Sequence, residues 1–112
     1  MKQDNKNARR LVSLIEEFRK LDTEMQAQQM IIFLSVMGKP DMTMSELEDI
    51  VGLSGAAVSR NVAALSKVHR KGRPGHDLIV AYEDPEDRRF KRVRPTHKGT
   101  MVYNALLETL TR

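Results

Sequence analysis

The stretch that decides the fold is TMSELEDIVGLSGAAVSRNVAALSK, residues 43–67. It opens with Thr43-x-x-Glu46, a capping box in which the two side chains satisfy free backbone amides at the start of a helix. The helical pattern is then broken at 52–54, where Gly52 gives the freedom that a tight turn needs and Ser54 can cap the next helix. We therefore predict two short helices joined by a sharp turn, a helix-turn-helix over about residues 44–67.

The second of these helices, predicted over 55–67, has two unlike faces. The apolar side chains of the two helices make a small shared core: Leu47, Val51, Leu53, Val58 and Leu65. At about 100° per residue, the opposite face is small, polar or basic: Ala56, Ser59, Arg60, Ala63 and Lys67. A helix that enters the major groove of DNA needs such a face, and Arg60 can bind guanine O6 and N7 bidentately. The alternative is an ordinary amphipathic helix with a solvated face.

Two positions depart from the usual pattern of such motifs. Glu48 stands where a small buried residue is common, and Asn61 where an apolar one is common. Asn61 is either a hydrogen-bonded residue at the edge of the core, which we favour, or a contact to a base or phosphate.

Helices are also predicted on both sides of this motif. Apolar residues spaced by three and four predict a helix over 8–21, and Thr23-Glu24-Met25-Gln26 has the form of a capping box that opens the next one. That second helix is apolar on nearly all sides from Met30 to Met37, so we expect it to be central. Thr96 is expected to cap a last helix over about 97–111.

A β-hairpin is predicted between the motif and the last helix. Residues 78–82 are an apolar run, 83–87 reverse the chain, and 89–94 can pair back. In a regular strand Phe90 and Val93 would point to opposite faces of the sheet, because they are three residues apart. This predicts that the returning strand is bulged or only weakly buried. The predicted fold is mainly α with a small β-hairpin (α+β), a winged helix-turn-helix in one domain over 1–112, with the wing at about 78–94.

Composition limits the classes of function. The 112 residues can build one modest core, and 19 Lys and Arg against 15 Asp and Glu give a charge of +4, which permits a polyanionic partner. Without cysteine there is no thiolate metal site or thiol nucleophile, and the three histidines lack metal spacing. We expect no enzyme, no cofactor and no metal. The polar N-terminus and short apolar runs predict a cytoplasmic protein without a membrane partner.

From Leu47 onward the chain resembles the MarR family of winged-helix regulators. The resemblance rests on four motifs: Thr43-x-Ser45-Glu46-Leu47, Leu53-Ser54-x-x-x-Val58-Ser59-Arg60, Asp84-Pro85-Glu86-Asp87-Arg88-Arg89 and Thr96-His97-Lys98-Gly99. It implies a sequence-specific, homodimeric transcription regulator on double-stranded DNA, with helix 55–67 in the major groove and the wing, 83–89, on the backbone or minor groove.

The DNA-contacting residues that follow are Thr43, Ser45, Ser54, Gly55, Ala56, Ser59, Arg60, Ala63, Lys67, Arg88 and Arg89. The resemblance makes Arg88 or Arg89 the wing cation, held by Asp84 or Asp87. An acid at this tip would be repelled by DNA, so the carboxylates need arginine partners. The alternative is a solvated turn that happens to be charged.

The terminal helices are the expected dimer interface, through Leu11, Leu14, Ile15, Phe18, Val102, Leu106 and Leu110. The alternative is that both stripes pack inside one chain. The family usually adds another C-terminal helix around a small-molecule pocket, so an effector is doubtful here, and Pro95 replaces its usual Leu.

Two further alternatives stay open. Lys71-Gly72-Arg73-Pro74 is similar to an AT-hook, although a plain polar loop is favoured. The same fold could also serve a protein-interaction module, or a phage or plasmid replication or partition protein.

Overall fold

The structure, a computed structural model, describes residues 5–67 and 72–111. Its elements are α1 (Lys6–Leu21), α2 (Ala27–Gly38), β1 (Met42–Thr43), α3 (Met44–Val51), α4 (Gly55–Leu65), β2 (Ile79–Glu83), β3 (Lys91–Pro95) and α5 (His97–Thr109). The strands form one antiparallel sheet in the order β1-β3-β2. The predicted α+β winged helix-turn-helix is confirmed.

Three predicted helix starts are capped as expected. Thr43 Oγ1 accepts from the Glu46 N–H at 3.0 Å, and Glu46 Oε1 accepts from the Thr43 N–H at 3.0 Å. Ser54 Oγ accepts from the N–H of the third residue of α4 at 3.1 Å. Between these two caps, Gly52 adopts the left-handed conformation, with φ 68°, that closes the turn. Thr96 caps α5 in the same way.

The predicted start of α2 is wrong by three residues. The helix begins at Ala27, and its capping box is formed by Gln26 and Gln29 rather than by Thr23. Asp22 Oδ1 accepts from the Glu24 N–H at 2.8 Å, and Asp22 O accepts from the Met25 N–H at 3.1 Å. This turn brings Met25 into the core, a tertiary requirement that delays the helix.

The core lies around α2, whose apolar residues Ile32, Phe33 and Val36 are buried. Phe18 of α1 packs edge-on against Phe33, with ring centroids 6.1 Å apart. The helix-turn-helix adds Leu47, Val58 and Leu65 to this core. The sheet and α5 add Ile79, Val93 and Leu106, and Leu78, the residue before β2, completes it. α2 is therefore central, as predicted.

This core corrects part of the predicted dimer interface. Phe18 is 0% exposed and Leu106 is 1% exposed within the single chain, because α5 packs against both α1 and α2, and Phe18 packs against Phe33 of α2. Neither side chain is available to a partner, so assigning these two residues to an interface was wrong. The other residues predicted to form the interface divide into half-buried Leu14 and Val102, and exposed Leu11, Ile15 and Leu110.

The sheet connects the wing to the helix-turn-helix. β1, which was not predicted, pairs Met42 with Val93 and Thr43 with Arg92 immediately before α3 begins. β2 and β3 keep one register from Ile79↔Pro95 to Glu83↔Lys91. The expected bulge or weak burial was wrong, because Phe90 precedes β3 and Val93 is fully buried.

The Thr96-x-x-Gly99 motif attaches α5 to the start of the hairpin. The Thr96 N–H donates to Leu78 O at 3.0 Å, and Thr96 Oγ1 donates to Asp77 O at 2.6 Å. A Cβ at Gly99 would lie 2.0 Å from Leu78 O. Only glycine allows this approach, which explains the residue at that position. No helix in the described ranges is long and apolar enough to cross a membrane.

Candidate nucleic-acid interface

The outer face of α4 carries the side chains expected to meet DNA. Ala56, Ser59 and Arg60 are exposed and Ala63 is half-buried, whereas Val58, Val62 and Leu65 on the other side are buried. The helix is held by its apolar face and presents a small, polar and basic surface to the solvent.

α4 ends at Leu65, two residues before the predicted end. The helix ends there because its last carbonyls accept hydrogen bonds from the segment that leads into β2. The N–H groups of His76 and Leu78 donate to Ala64 O and Leu65 O at 3.1 and 2.8 Å. Lys67 is exposed but lies beyond the helix, so its predicted place on the recognition face was wrong. Its carbonyl accepts from the Gly75 N–H at 2.9 Å.

A groove of about 450 Å³ separates α3 and α4 from the wing. We call it the wing groove; it is lined by Thr43, Met44, Ser45, Glu48, Gly55, Ser59, Arg88, Arg89, Phe90 and Lys91. It brings six predicted DNA-contacting residues together: Thr43, Ser45, Gly55, Ser59, Arg88 and Arg89. Arg60, Ala56, Ser54 and Ala63 are not among its lining residues. The hydroxyl oxygens of Thr43 and Ser54 are engaged as helix caps.

At the tip of the wing, Asp87 holds Arg89. Its two carboxylate oxygens accept from Arg89 Nε at 3.0 Å and from a terminal guanidinium nitrogen at 2.7 Å. These hydrogen bonds lower the pKa of Asp87 below its ordinary value and raise the pKa of Arg89. Arg88 is exposed and makes no ion pair with any described residue. The wing therefore presents Arg88 outward while Arg89 is fixed by its acid.

At the base of the wing, Asp84 pairs with a residue that sequence reasoning missed. Arg92 Nε donates to Asp84 Oδ2 at 2.8 Å, and its guanidinium also donates to Asp41 O at 2.8 Å. The Arg92 hydrogen bond lowers the pKa of Asp84. Of the two acids predicted to hold the wing cation, Asp87 does so, through Arg89, whereas Asp84 pairs instead with Arg92. The sequence does contain a signal for Arg92. Side chains alternate along a strand, so a buried Val93 places Arg92 and Arg94 on the face of β3 that points away from the core.

Tyr82 strengthens the same connection between the sheet and the loop before β1. Its hydroxyl donates to Asp41 Oδ1, which raises the pKa of Tyr82. The guanidinium of Arg94 lies 4.7 Å from the centre of the Tyr82 ring, a cation–π contact. Wing and helix-turn-helix are therefore joined by polar contacts as well as by the short strand β1.

Asn61 is a core-edge residue rather than part of this surface. It is 9% exposed, and its Nδ2 donates to Ala57 O at 2.9 Å and to Gln28 Oε1 at 3.3 Å. The favoured interpretation of Asn61 is confirmed.

The basic loop is described only in part. Lys71 lies outside the described residues, and Arg73 is exposed beside a cavity at the C-terminal end of α4. His76, which lines the same cavity, has its Nε2 3.3 Å from Asp22 Oδ2. In the described ranges no three His, Asp or Glu side chains are grouped to hold a metal ion.

No family model matches the chain, and no curated protein matches it. Among solved structures, the PcaV transcriptional regulator of Streptomyces coelicolor with its natural ligand is 22% identical over 99% of this chain and 74% of its own, with a TM-score of 0.62. The MepR–DNA complex of S. aureus is 17% identical over 86% of this chain and 71% of the MepR chain, with a TM-score of 0.71. A mutant form of E. coli MarR is 20% identical over 96% of this chain and 71% of the MarR chain, with a TM-score of 0.66. The chain thus has the same winged helix-turn-helix fold as these transcriptional regulators.

Proposed function

We propose that this chain is a sequence-specific transcription regulator that binds double-stranded DNA as a homodimer. The observation that carries the proposal is the surface formed by α4 and the wing groove. α4 presents Ser59 and Arg60, and the adjacent groove carries the wing cations Arg88, Arg89 and Lys91. A recognition helix beside a cationic loop is the arrangement with which winged helices read DNA.

Charge pairing makes the wing suitable for a polyanion. Asp84 and Asp87 are each hydrogen-bonded to an arginine, so their negative charge is compensated inside the wing. Arg88 and Lys91 are exposed and make no ion pair with described residues. These two cations are available to phosphates, the contacts that dominate the affinity of DNA-binding proteins.

The solved structures support the same function. MepR was solved in complex with DNA and has this fold. A homodimer follows from the small number of base contacts that one recognition helix can make: two copies on a pseudo-palindromic site double them without new chemistry.

The direct test is Arg60→Ala. Sites selected by the wild-type protein from random double-stranded DNA provide the cognate sequence, and binding is then compared between that site and a scrambled one. Loss of one bidentate guanine contact should weaken cognate binding by about 1–3 kcal/mol and leave scrambled binding nearly unchanged.

Lys98→Ala is the matched control, because Lys98 is an exposed cation on α5 outside the wing groove. It should retain wild-type preference. Equal affinity of wild type and Arg60→Ala for the cognate site would remove Arg60 from base recognition. A wild-type protein that selects no sequence would contradict the proposed function.

A further inference from the structure

One acid stands among the cations of the wing groove. Glu48 of α3 is half-buried and lines the groove with Arg88, Arg89 and Lys91. Its carboxylate makes no hydrogen bond and no ion pair with the described residues, in contrast to Asp84 and Asp87 of the wing. Half-burying a carboxylate without a partner costs free energy. Its presence on the face that would meet DNA therefore needs an explanation.

The Glu48 carboxylate lies beside Gly55, the first residue of α4. A Cβ at Gly55 would be 3.3 Å from Glu48 Oε2 and 3.4 Å from Glu48 Oε1. The carboxylate thus lies within contact distance of the first residue of α4, and a side chain at that residue would crowd it. A negative charge is favoured at a helix N-terminus. In helix-turn-helix complexes the first residues of the recognition helix are also those that contact base edges.

We propose that Glu48 is a specificity-determining residue that accepts a hydrogen bond from the exocyclic amino group of a cytosine in the major groove. The assignment rests on the proposed DNA-binding function and names one base contact within it. An ionised carboxylate can only accept hydrogen bonds. The cytosine edge presents the N4 amino donor, whereas guanine and thymine present acceptors that a carboxylate repels, and adenine places the N7 acceptor beside its amino group.

The same charge explains how the residue would act against other sequences. A carboxylate beside the DNA repels phosphates and acceptor edges at every site, so it weakens binding wherever no cytosine amino group meets it. Discrimination is the difference between the two affinities, and a repulsive element of this kind increases it.

The experiment measures coupling between Glu48 and a single base pair. After selection of the cognate site, each C·G pair of a half-site is changed in turn to T·A, and dissociation constants are measured for wild type and Glu48→Gln. At one pair the wild type should lose about tenfold in affinity, within the range of one good base contact, and Glu48→Gln less than about twofold. Glutamine has nearly the same shape but is uncharged and also donates.

Asp49→Asn is the matched control. Asp49 is the next residue of α3, is exposed, and is not among the residues that line the wing groove, so the substitution makes the same change in charge away from the proposed contact. It should keep the wild-type penalty at that base pair.

Gly55→Ala tests the geometry independently. The added methyl group must push the Glu48 carboxylate aside by a few tenths of an ångström, so the tenfold penalty should shrink although Glu48 is still present. Thermal unfolding should show an unchanged or higher midpoint, because alanine favours a helix more than glycine does. A variant that loses discrimination while remaining folded supports the assignment.

Two results would overturn it. If Glu48→Gln changes the affinity for all sites by the same factor, the carboxylate acts only through its charge, on phosphates or on the wing cations. If Glu48→Gln keeps full discrimination at every C·G pair, no cytosine is read by Glu48. A wild-type protein without sequence preference is a different outcome: it overturns the proposed function, and this assignment with it.

Discussion

Gly99 shows how a single missing side chain fixes the position of a helix. The place of its Cβ lies 2.0 Å from the backbone oxygen of Leu78, and neither α5 nor the fully buried Leu78 can yield without disturbing the core. We expect Gly99→Ala to lower the free energy of unfolding by about 1–3 kcal/mol, the usual cost of forcing atoms into a packed site. Urea denaturation measures this change in stability.

Gly38→Ala is the control. Nothing lies within 4 Å of the Cβ position of Gly38, so the free energy of unfolding should stay the same or rise by less than about 1 kcal/mol. Equal stability of Gly99→Ala and wild type would contradict the close contact.

Glu46 makes the start of α3 sensitive to acid. The Lys39 ammonium at 2.6 Å and the N–H of Thr43 lower the pKa of Glu46 from 4.5 to about 2. Because this pKa is lower in the folded chain than in the unfolded one, the stabilisation is complete above pH 4.5 and is lost as the pH falls towards 2.

Unfolding at pH 5 and pH 2.5 should therefore show a smaller acid-induced loss in Glu46→Gln than in wild type. Glu24→Gln, whose carboxylate makes no hydrogen bond in the described ranges, should behave as wild type. Added salt should reduce the effect, because the Lys39 and Glu46 side chains are 61% and 41% exposed. If Glu46→Gln loses as much stability between pH 5 and pH 2.5 as wild type does, this carboxylate does not cause the acid sensitivity.

Single residues were predictable where their interactions are local. Thr43, Ser54 and Thr96 cap helices through atoms three residues away, so their types and spacing suffice. Thr23 has the same local pattern yet caps nothing, because burial of Met25 requires a turn there. Arg92 was missed because its partners, Asp84 and Asp41, meet it only when the sheet forms.

The wing is the element whose charge arrangement matters most for the proposed function. Arg88 is outward-facing and unpaired within the described ranges, whereas Arg89 is held by Asp87. We expect Arg88→Ala to weaken binding to all DNA sequences alike and to reduce the slope of log affinity against log salt by about one. Titrations at several salt concentrations measure this slope, and Lys98→Ala should leave it unchanged. A wild-type slope in Arg88→Ala would mean that Arg88 touches no phosphate.

Elements that depend on distant parts of the chain were the ones that the sequence did not reveal. β1 has two residues and exists because Met42 and Thr43 meet β3 about fifty positions later. The end of α4 is likewise set by hydrogen bonds from residues 75–78. The long helices α1 and α5 and the hairpin were predictable, since their periodicity repeats over many residues.

At the scale of the whole molecule, periodicity identified apolar faces but not what covers them. Phe18 and Leu106 share their stripes with Leu11 and Leu110, yet the first two are buried in the chain and the last two are 58% and 42% exposed. α1 buries only Phe18, towards its C-terminal end. Of the apolar side chains in its earlier turns, Leu14 is half-buried, whereas Leu11, Val12 and Ile15 stay exposed, as expected if a second copy packs there.

The predicted dimer interface is therefore tested at exposed apolar residues of α1. Leu11 and Ile15 are 58% and 44% exposed and lie one helical turn apart on α1. We expect Leu11→Glu with Ile15→Glu to give a folded monomer that binds the cognate site much more weakly, because burial of two charges at an interface is unfavourable while the core is untouched. Ile50→Glu, which changes an apolar residue on α3 that is 54% exposed, should leave the dimer intact. Light scattering at micromolar concentration gives the mass, and circular dichroism checks the fold. A monomeric wild type, or a double variant that still dimerises, would show that α1 does not form the interface.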